Sequence, residues 1–458
     1  MKVKPLGEFD IYINDGNYGN IYPEKELFTN EGIPFISASD FNGRTFNYEG
    51  IKFISEELHF NILKKGHLKV NDIVIVVRGN GIGKVGFFED EIGECNMNAQ
   101  LAFIRTNPNQ LNPLYLYYLM SSQNYLELIQ RFGTGSAQPQ LPINRLKMVP
   151  IIEKDIQTQF QIAKILSDLD AKIELNNKIN AELEAMAKLI YDYWFVQFDF
   201  PISAEQAASM GKPKLEGKPY KSSGGKMVWN DELKREVPEG WEVGILDKIA
   251  DLIRGVSYGK DDIKSKDESN TIPILRATNI SGNKIDLNQM VYVPTEFISE
   301  NQILNKFDVL ITMSSGSIDH IGKNGFYYFD EKVAFGAFCA KLVSKKDFRY
   351  YLYSYAQSDF MFQTIKNECL GTNINNLNGG IVKSFKIVIP SQKLIRLFNQ
   401  RVDSLFQKIS NNTNENQKLA ELRDWLLPML MNGQVKVDKL SDHDETLNMA
   451  AEEREKYR

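Results

Sequence analysis

Residues 78–84 read Arg-Gly-Asn-Gly-Ile-Gly-Lys, a run that could hold a phosphate group. A phosphate-binding loop needs a glycine five positions before its Gly-Lys pair, and a serine or threonine after the lysine to hold magnesium. Arg78 stands at the first of these positions and Val85 at the second. The run therefore predicts a glycine-rich turn between two strands and not a nucleotide site.

Residues 112–115, Asn-Pro-Leu-Tyr, are similar to the Asn-Pro-Pro-Tyr loop of amino-methyltransferases, but the second proline is missing. A glycine-rich cofactor loop near the start of the chain, which would accompany that chemistry, is also missing. Pro113 instead predicts the first residue of a helix.

The metal-binding residue types are scattered. The four histidines His59, His67, His320 and His443 are far apart in sequence, so no Cys/His cluster has metal-ligand spacing. Three cysteines, an odd number, are typical of a reducing cytoplasm and not of a disulfide framework. Without a nuclease, helicase or metal constellation, the chain is expected to bind and not to catalyse.

The composition is that of a globular protein. The 458 residues include 43% hydrophobic and 25% charged residues, which predicts two or three domains. No apolar run approaches the roughly 18 residues of a membrane span, and the first residues lack a secretion signal, so a cytoplasmic protein is expected. The net charge of −5 does not favour nucleic acid by itself, so DNA binding would need a basic face within each domain.

The chain contains one long internal repeat. Gly-Ile-Pro-Phe-Ile at 32–36 returns as Thr-Ile-Pro-Ile-Leu at 271–275, and Gly-Lys at 83–84 returns at 322–323. Alternating apolar residues around each proline predict a strand that leads into a polar loop. The repeat therefore predicts two domains of one α+β fold.

A long helix is expected after each domain. Apolar residues at alternating spacings of three and four run from Ile162 to Trp194, and again from Phe398 to Leu430, with Arg423 as an interruption. This spacing is the seam of a coiled coil. At ~1.5 Å per residue, the first seam would be roughly 48 Å long.

Two asparagines lie at matching central positions of each seam: Asn176 and Asn180, then Asn412 and Asn416. Polar residues in an apolar seam reduce stability and fix the register. Antiparallel packing would set Asn176 opposite Asn416 and Asn180 opposite Asn412. Parallel packing would also match asparagine with asparagine, so the antiparallel prediction depends on the pseudo-twofold relation of a duplicated chain.

Composition divides the chain further. Pro, Gly, Ser and Lys dominate the middle, as in a surface linker, and the last residues are charged. The predicted order is a first domain at 1–152, a central long helix at 153–199, a linker at 200–240, a second domain at 241–390, a C-terminal long helix at 391–433 and a charged tail at 434–458.

Several short motifs, in their order, resemble the specificity subunits of type I restriction–modification systems. They are Asp-Gly-Asn-Tyr-Gly at 15–19, Gly-Ile-Pro-Phe-Ile at 32–36, Asn-Pro-Leu-Tyr-Leu-Tyr-Tyr-Leu at 112–119, Gly-Thr-Gly at 133–135, Pro-Glu-Gly-Trp at 238–241 and Leu-Ala-Glu-Leu-Arg-Asp-Trp-Leu-Leu-Pro at 419–428. The resemblance spans almost the whole chain. Two departures are that the first half lacks the Pro-Glu-Gly-Trp entry, and that Gly135 and Pro139 align with Asn373 and Leu377.

The resemblance implies two target-recognition domains that each read one half of a bipartite, asymmetric DNA site, joined by an antiparallel coiled coil that sets the spacer. A spacer near the estimated length would separate the readers by about one to one and a half DNA turns. The resemblance also implies two methyltransferase subunits and two motor-nuclease (restriction) subunits as partners. S-adenosylmethionine, ATP and magnesium would then belong to those partners, and this chain would hold no cofactor or metal.

DNA readout needs polar and basic side chains on loops that reach base edges and phosphates. The candidates in the first domain are Ser37, Ser39, Arg44, Arg78, Asn80, Lys84, Thr134, Ser136, Gln138 and Gln140. Those in the second domain are Arg276, Thr278, Asn279, Ser314, Ser315, Ser317, Lys323, Thr372, Asn373, Asn375 and Asn376. Arg276 carries the most weight because the matching position holds Ser37.

Two other functions remain open from the sequence. One is a stand-alone DNA adenine methyltransferase, which the broken Asn-Pro-Leu-Tyr motif disfavours. The other is a coiled-coil structural or regulatory protein without a DNA role. The cluster of Tyr191, Tyr193, Trp194 and Phe195 is either a partner surface or core packing.

Overall fold

A computed structural model describes residues 2–17, 22–48, 50–89, 93–135, 139–372 and 376–437. The chain divides into two compact units, Met1–Ile173 with Lys418–Arg458, and Glu174–Gln417. In the described ranges, the helices are all too short or too polar to cross a membrane.

The first helix begins at Pro113, as the sequence predicts. Asn112 caps the first one: its Oδ1 accepts a 2.9 Å hydrogen bond from the backbone N of Tyr115, and Pro113 occupies the first turn. The α-helices of the described part are α1 (Pro113–Ser121), α2 (Gln123–Arg131), α3 (Ile143–Leu146), α4 (Ile156–Tyr191), α5 (Ala204–Ser209), α6 (Arg349–Ala356), α7 (Asp359–Thr372), α8 (Gly379–Lys383) and α9 (Gln392–Asn432).

The first unit is built on two small sheets. Its strands are β1 (Val3–Pro5), β2 (Ile11–Asp15), β3 (Phe28–Thr29), β4 (Ile33–Ile36), β5 (Phe41–Asn42), β6 (Thr45–Phe46), β7 (Lys52–Ile54), β8 (Ile73–Val76), β9 (Val85–Phe87), β10 (Asn96–Met97), β11 (Leu101–Thr106) and β12 (Pro150–Ile152). An antiparallel sheet has the order β2-β11-β8-β9, and a second sheet, β10-β4-β7-β3, includes one parallel pair, β10 with β4.

The second unit repeats this topology. Its strands are β13 (Met227–Asn230), β14 (Arg235–Pro238), β15 (Glu242–Ile245), β16 (Ala250–Arg254), β17 (Thr271–Leu275), β18 (Ile280–Ser281), β19 (Lys284–Ile285), β20 (Val291–Pro294), β21 (Val309–Thr312), β22 (Asn324–Phe326), β23 (Ala334–Phe335), β24 (Cys339–Ser344) and β25 (Lys386–Ile389). The sheet β16-β24-β21-β22 matches β2-β11-β8-β9, and β23 pairs with β17 in parallel, as β10 does with β4. The duplication predicted from the sequence is confirmed.

A buried ion pair recurs at the same place in each unit. Asp72 accepts two hydrogen bonds from Arg105, at 2.8 and 2.7 Å, and Asp308 lies 3.0 Å from the Nζ of Lys341. Both carboxylates precede a buried central strand, and both cations lie on the neighbouring strand. The sequences Asp72-Ile73 and Asp308-Val309 are therefore equivalent structural elements, and each ion pair holds the central sheet of its unit in register.

The two long helices run antiparallel. Asn176 Nδ2 donates to Asn416 Oδ1 at 2.9 Å, and Asn412 Nδ2 donates to Asn180 Oδ1 at 2.9 Å. Residue numbers rise along one helix as they fall along the other, which excludes the parallel pairing that the sequence left open. Asn176 and Asn412 are each 1% exposed, so each of these buried amides obtains its hydrogen bond from the asparagine opposite it on the other helix.

Residues 200–240 are not the surface linker that their composition suggested. They contain α5 and the hairpin β13-β14, and the side chains of Phe200, Ile202, Tyr220 and Val237 are buried in the main core of the second unit. Phe200 stacks on Tyr220 with ring centroids 4.7 Å apart. Aromatic burial outweighs the polar composition here, and the segment is part of the folded second unit.

Candidate nucleic-acid interface

In the first unit, two of the predicted DNA-binding loops lie side by side. Arg78 pairs with Gln140 in an isolated β-bridge, and the backbone N of Gly79 donates to the carbonyl of Pro139 at 3.0 Å. Thr134 and Gln140 exchange two backbone hydrogen bonds of 2.7 and 2.8 Å. Residues separated by more than fifty positions thus form one polar surface.

The side chains of this surface differ in their availability. Asn80 and Gln140 are exposed, and Arg78 is partly exposed, with one guanidinium nitrogen 4.0 Å from Asp15. Ser136 and Gln138, which belong to the same predicted loop, lie outside the described residues.

The glycine-rich run is the expected turn between β8 and β9. Gly83 has φ +89°, and its backbone N donates to the carbonyl of Val76 at 3.0 Å. Gly322 has φ +81° and donates to Thr312 in the same way at 2.9 Å. A left-handed residue closes both turns, so glycine is required there.

Arg44 and Lys84 are the other two basic candidates of the first domain. They border a pocket of about 690 Å³ together with Asp170 of α4 and Arg423 of α9. The Arg44 guanidinium contacts Glu89 and lies 4.0 Å from Asp170, and Arg423 donates to Asp170 at 2.7 Å. Arg44 is thus held by carboxylates against the long helices, where it supports the domain and is not presented on the polar loop surface.

The loop after β4 has the same internal structure as the loop after β17. Ser37 donates from its backbone N and its hydroxyl to Asp40, both at 2.7 Å, and the Ser37 and Ser39 hydroxyls lie 2.8 Å apart. In the second unit, the backbone N of Arg276 donates to Asn279 at 2.9 Å. Asp40 and Asn279 are therefore equivalent residues that fix the turn.

Asn279 is a structural residue. It is 4% exposed, and its amide donates to the carbonyls of Asp286 at 2.9 Å and Asn288 at 2.7 Å. The prediction that it faces DNA does not fit this environment, because all of its polar atoms are used within the loop.

Arg276 and Thr278 border a shallow polar pocket of about 500 Å³ on the second unit. One terminal nitrogen of Arg276 donates to the carbonyl of Gln289 at 2.9 Å, and Thr278 is exposed. Among the described residues, the Nε of Arg276 is one of the buried polar atoms without a hydrogen-bond partner. The Gln289 carbonyl therefore holds the guanidinium at the border of this pocket.

The loops that contain Ser314 and Asn376 meet as their counterparts do in the first unit. Ser314 and Asn376 form a β-bridge, and the backbone N of Leu377 donates to Met313 at 2.6 Å, as Leu141 does to Val77 at 2.8 Å. Leu377 therefore corresponds to Leu141 and not to Pro139, which means that the second loop is shorter than the sequence alignment implied.

Other predicted residues of this loop pair are placed only in part. Ser317 is exposed, and Ser315 and Lys323 are partly exposed. Asn373 and Asn375 lie outside the described residues, as does the side chain of Thr372.

Comparison with known families identifies the chain. Residues 1–185 and 238–423 each match the family model described as type I restriction modification DNA specificity domain. The chain belongs to this family. As a specificity subunit it supplies DNA sequence specificity, and the catalytic activities reside in partner subunits. The expectations of a methyltransferase enzyme or a coiled-coil protein without a DNA role are not favoured.

Individual relatives agree with the family. The chain is 27% identical over 421 residues to the HindI specificity subunit of Haemophilus influenzae, which covers 81% of this chain and 88% of the relative. It is 27% identical over 334 residues to the MjaIX specificity subunit of Methanocaldococcus jannaschii, covering 71% and 70%. The crystal structure of the type I S subunit from M. genitalium shares the fold, with a TM-score of 0.52 at 18% identity over 94% of this chain and 95% of that chain.

One turn in each domain of the specificity subunit was not among the candidate loops predicted from the sequence. We call residues 98–100 and 336–338 the hub turns, because each is bonded to two candidate loops. The carbonyls of Gln100 and Phe338 accept 2.8 Å hydrogen bonds from Val77 and Met313, respectively. Both side chains are exposed.

The other contact of the hub turns is also duplicated. The backbone N of Asn98 donates to Ile36 at 2.9 Å, and that of Gly336 donates to Leu275 at 2.8 Å. Each turn thus lies between the loop after β4 or β17 and the loop after β8 or β21. Alignment of Asn-Ala-Gln-Leu-Ala at 98–102 with Gly-Ala-Phe-Cys-Ala at 336–340 carried the signal.

Two of the histidines come together in the fold. The rings of His59 and His67 stack with centroids 4.0 Å apart, and with Glu94 they form a described group whose ligand atoms could hold a metal ion. However, the His59 Nδ1 lies 3.2 Å from the Asn96 amide nitrogen, a donor, and His67 Nε2 lies 2.5 Å from the Leu63 carbonyl. These bonds place the proton of His59 on Nε2, which lies 3.3 Å from the Glu94 carboxylate. His59 and Glu94 are therefore arranged as a hydrogen-bonded pair and not as ligands of a metal ion.

Proposed function

We propose that each target-recognition domain reads one half of a bipartite, asymmetric DNA target, and that the paired long helices set the gap between the halves. The observation that carries this proposal is the pair of matching loop surfaces with different side chains. The first presents Arg78, Gln100 and Gln140, and the second presents Ser314, Phe338 and Asn376. The shared backbone supports a shared docking geometry, and different side chains support different half-site sequences.

The set of proposed DNA contacts narrows accordingly. Arg44 and Asn279 leave it, because the Arg44 guanidinium is paired with the Glu89 carboxylate and the Asn279 amide donates to two backbone carbonyls. Of the residues predicted from the sequence, the contacts that remain proposed on described side chains are Ser37, Ser39, Arg78, Asn80, Lys84, Thr134 and Gln140 in the first domain, with Arg276, Thr278, Ser314, Ser315, Ser317, Lys323 and Asn376 in the second.

Specificity subunits of this family bind DNA and act in complexes with methyltransferase and restriction subunits. We propose two copies of each partner, in a cytoplasmic assembly. Support comes from exposed apolar residues at equivalent positions of the long helices. Met186 and Leu422 each lie ten positions after the first seam asparagine of their helix (176 to 186 and 412 to 422), and they are 52% and 42% exposed.

A second exposed apolar residue lies three positions later on each helix. Leu189 and Trp425 are 67% and 55% exposed. We call the pairs Met186 with Leu189, and Leu422 with Trp425, the two helix patches. Exposed apolar surface of this kind favours burial against a protein, and its duplication favours two copies of one partner.

The decisive experiment is co-expression of the chain with its cognate methyltransferase subunit in a host without DNA methylation. Sequencing of methylated adenines should give two defined half-sites separated by a gap of fixed length and unspecified sequence. A continuous motif would contradict the two-domain reading. A stable complex without methylation would contradict the DNA-reading role itself.

A further inference from the structure

Phe338 is an unusually exposed aromatic residue at the centre of the second domain's polar loops. It is 66% exposed, and among the large apolar side chains of the described residues only Leu189 is more exposed. Isolated apolar residues on a surface are ordinary. What distinguishes Phe338 is its equivalence with Gln100, the hub-turn residue beside Arg78 and Gln140 in the first domain.

The backbone of Phe338 is firmly held. Its carbonyl accepts hydrogen bonds from the backbone N of Met313 at 2.8 Å and of Ser314 at 3.2 Å, and Cys339 continues directly into the central sheet opposite Thr312. An exposed ring on an immobile turn loses little backbone entropy on binding. The turn therefore holds the backbone of Phe338 between the loops of Arg276 and Ser314, from which the exposed ring projects.

We propose that Phe338 is a specificity-determining residue that contacts the methyl group of a thymine in the major groove of its half-site. Phenylalanine has no hydrogen-bonding group, and the thymine C5-methyl is the apolar feature that distinguishes one base edge in that groove. Gln100, at the equivalent position, has an amide that can bond both N6 and N7 of adenine. The same turn thus places an apolar contact in one half-site and an amide contact in the other. This inference rests on the proposed function.

The test uses the purified complex of the chain with its methyltransferase subunit, and target duplexes in which single thymines are replaced by uracil. Uracil keeps the hydrogen-bonding edge of thymine and lacks the methyl group. One uracil, in the half-site that Arg276→Ala also affects, should weaken binding by the wild-type complex about fourfold, the effect of one buried methylene-sized group. The Phe338→Ala complex should bind the thymine and uracil duplexes equally.

Phe297→Ala is the matched control. Phe297 is also exposed, at 38%, but it follows Pro294, which pairs with Thr271 at the opposite end of β17 from Arg276. Its removal should leave the sensitivity to uracil unchanged. Phe338→Gln should move the base preference at the sensitive position toward adenine, as read from the methylated motif.

Three results would overturn the proposal while leaving the bipartite function intact. They are a half-site composed only of G·C pairs, no effect of any uracil on the wild-type complex, and weaker binding by Phe338→Ala that retains the uracil effect. Absence of a bipartite motif in the wild-type complex would instead contradict the proposed function.

Discussion

Asn412 of α9 donates a 2.9 Å hydrogen bond to Oδ1 of Asn180 on α4. Asn412 is 1% exposed, and its partner lies at the edge of the same seam. A leucine at position 180 would leave the buried Asn412 amide without its bond, whereas leucine at both positions would extend the apolar seam. A shift in the register of the two helices would break this bond and leave the buried Asn412 amide unpaired, so the pair stabilises one register.

Asn180→Leu is expected to destabilise the second unit by about 1–3 kcal/mol, because the buried Asn412 amide then loses its hydrogen-bond partner. Adding Asn412→Leu should recover most of that loss, because no unpaired amide then remains in the seam. Thermal unfolding of the three proteins, followed by tryptophan fluorescence, checks this. A double variant as unstable as the single one would contradict a register role for the pair.

A second polar contact explains the interruption of the C-terminal heptad. Arg423 donates to Asp170 at 2.7 Å, and the hydroxyl of Tyr118 donates to the same carboxylate at 2.7 Å. Burial, with the nearby Asp170 carboxylate, raises the pKa of Tyr118. Asp170 therefore joins α1, α4 and α9 of the first unit.

Asp170→Asn is expected to lower the stability of the first unit by about 1.5–3 kcal/mol, as for loss of a hydrogen bond to a charged group. Asp168→Asn is the matched control, because Asp168 is an exposed carboxylate on the same helix that pairs only with neighbouring Lys164 within the described contacts. Hydrogen exchange of α1 and α9 measures the effect. Equal protection in both variants would contradict a joining role for Asp170.

The sequence predicted the features that depend on periodicity. The seams and their asparagines follow from helical spacing, and the duplicated domains follow from the internal repeat. The antiparallel pairing is expected from the pseudo-twofold relation, because the asparagines alone fit both directions. It failed where long-range burial decides the outcome. Pro, Gly and Ser gave residues 200–240 the composition of a linker, while Phe200 and Tyr220 place them in a core.

The candidate site shows the same division. Polar residues on loops could be recognised, but sequence does not reveal that Asp40 and Asn279 hold turns closed or that Arg44 faces carboxylates. Nor does it show that the hub turns are bonded to two loops each. Those facts depend on contacts between residues that are far apart in the chain.

Burial gives Glu184 a pH-dependent effect on stability. Desolvation raises the pKa of this carboxyl group, although Asn283 donates to it at 2.7 Å. Because the pKa in the folded state is above that in the unfolded state, stability is greatest at low pH and is lost as pH rises through the raised pKa. Between pH 4.5 and pH 8, the gain from Glu184→Gln should therefore grow until pH exceeds the raised pKa and then stay constant.

Melting temperatures across that pH range check the prediction. Glu182→Gln, an exposed carboxylate on the same helix, is the control and should show no such trend. A benefit of Glu184→Gln that is constant with pH would show that the gain comes from packing and not from ionisation.

Arg276→Ala should change recognition of one half-site and leave the other intact. The Gln289 carbonyl holds the guanidinium in place, and loss of a bidentate base contact costs about 1–3 kcal/mol of discrimination. Arg78→Ala should affect only the opposite half-site. Methylation motifs of the two variants provide the measurement, and an unchanged motif for Arg276→Ala would remove this residue from the set of base contacts.

The two helix patches should each hold one methyltransferase subunit. Leu189→Glu and Trp425→Glu place a charge on exposed positions, so the fold of the chain should be retained while burial against a partner becomes unfavourable. Native mass spectrometry should show one methyltransferase subunit lost in each single variant and both lost in the double variant.

The control is Trp229→Glu, because Trp229 is exposed on the β13-β14 hairpin and lies outside both patches. This variant should keep both subunits. Loss of both subunits in either single variant would indicate that the partners bind as a preformed pair, and retention of both in the double variant would place the interface elsewhere on the chain.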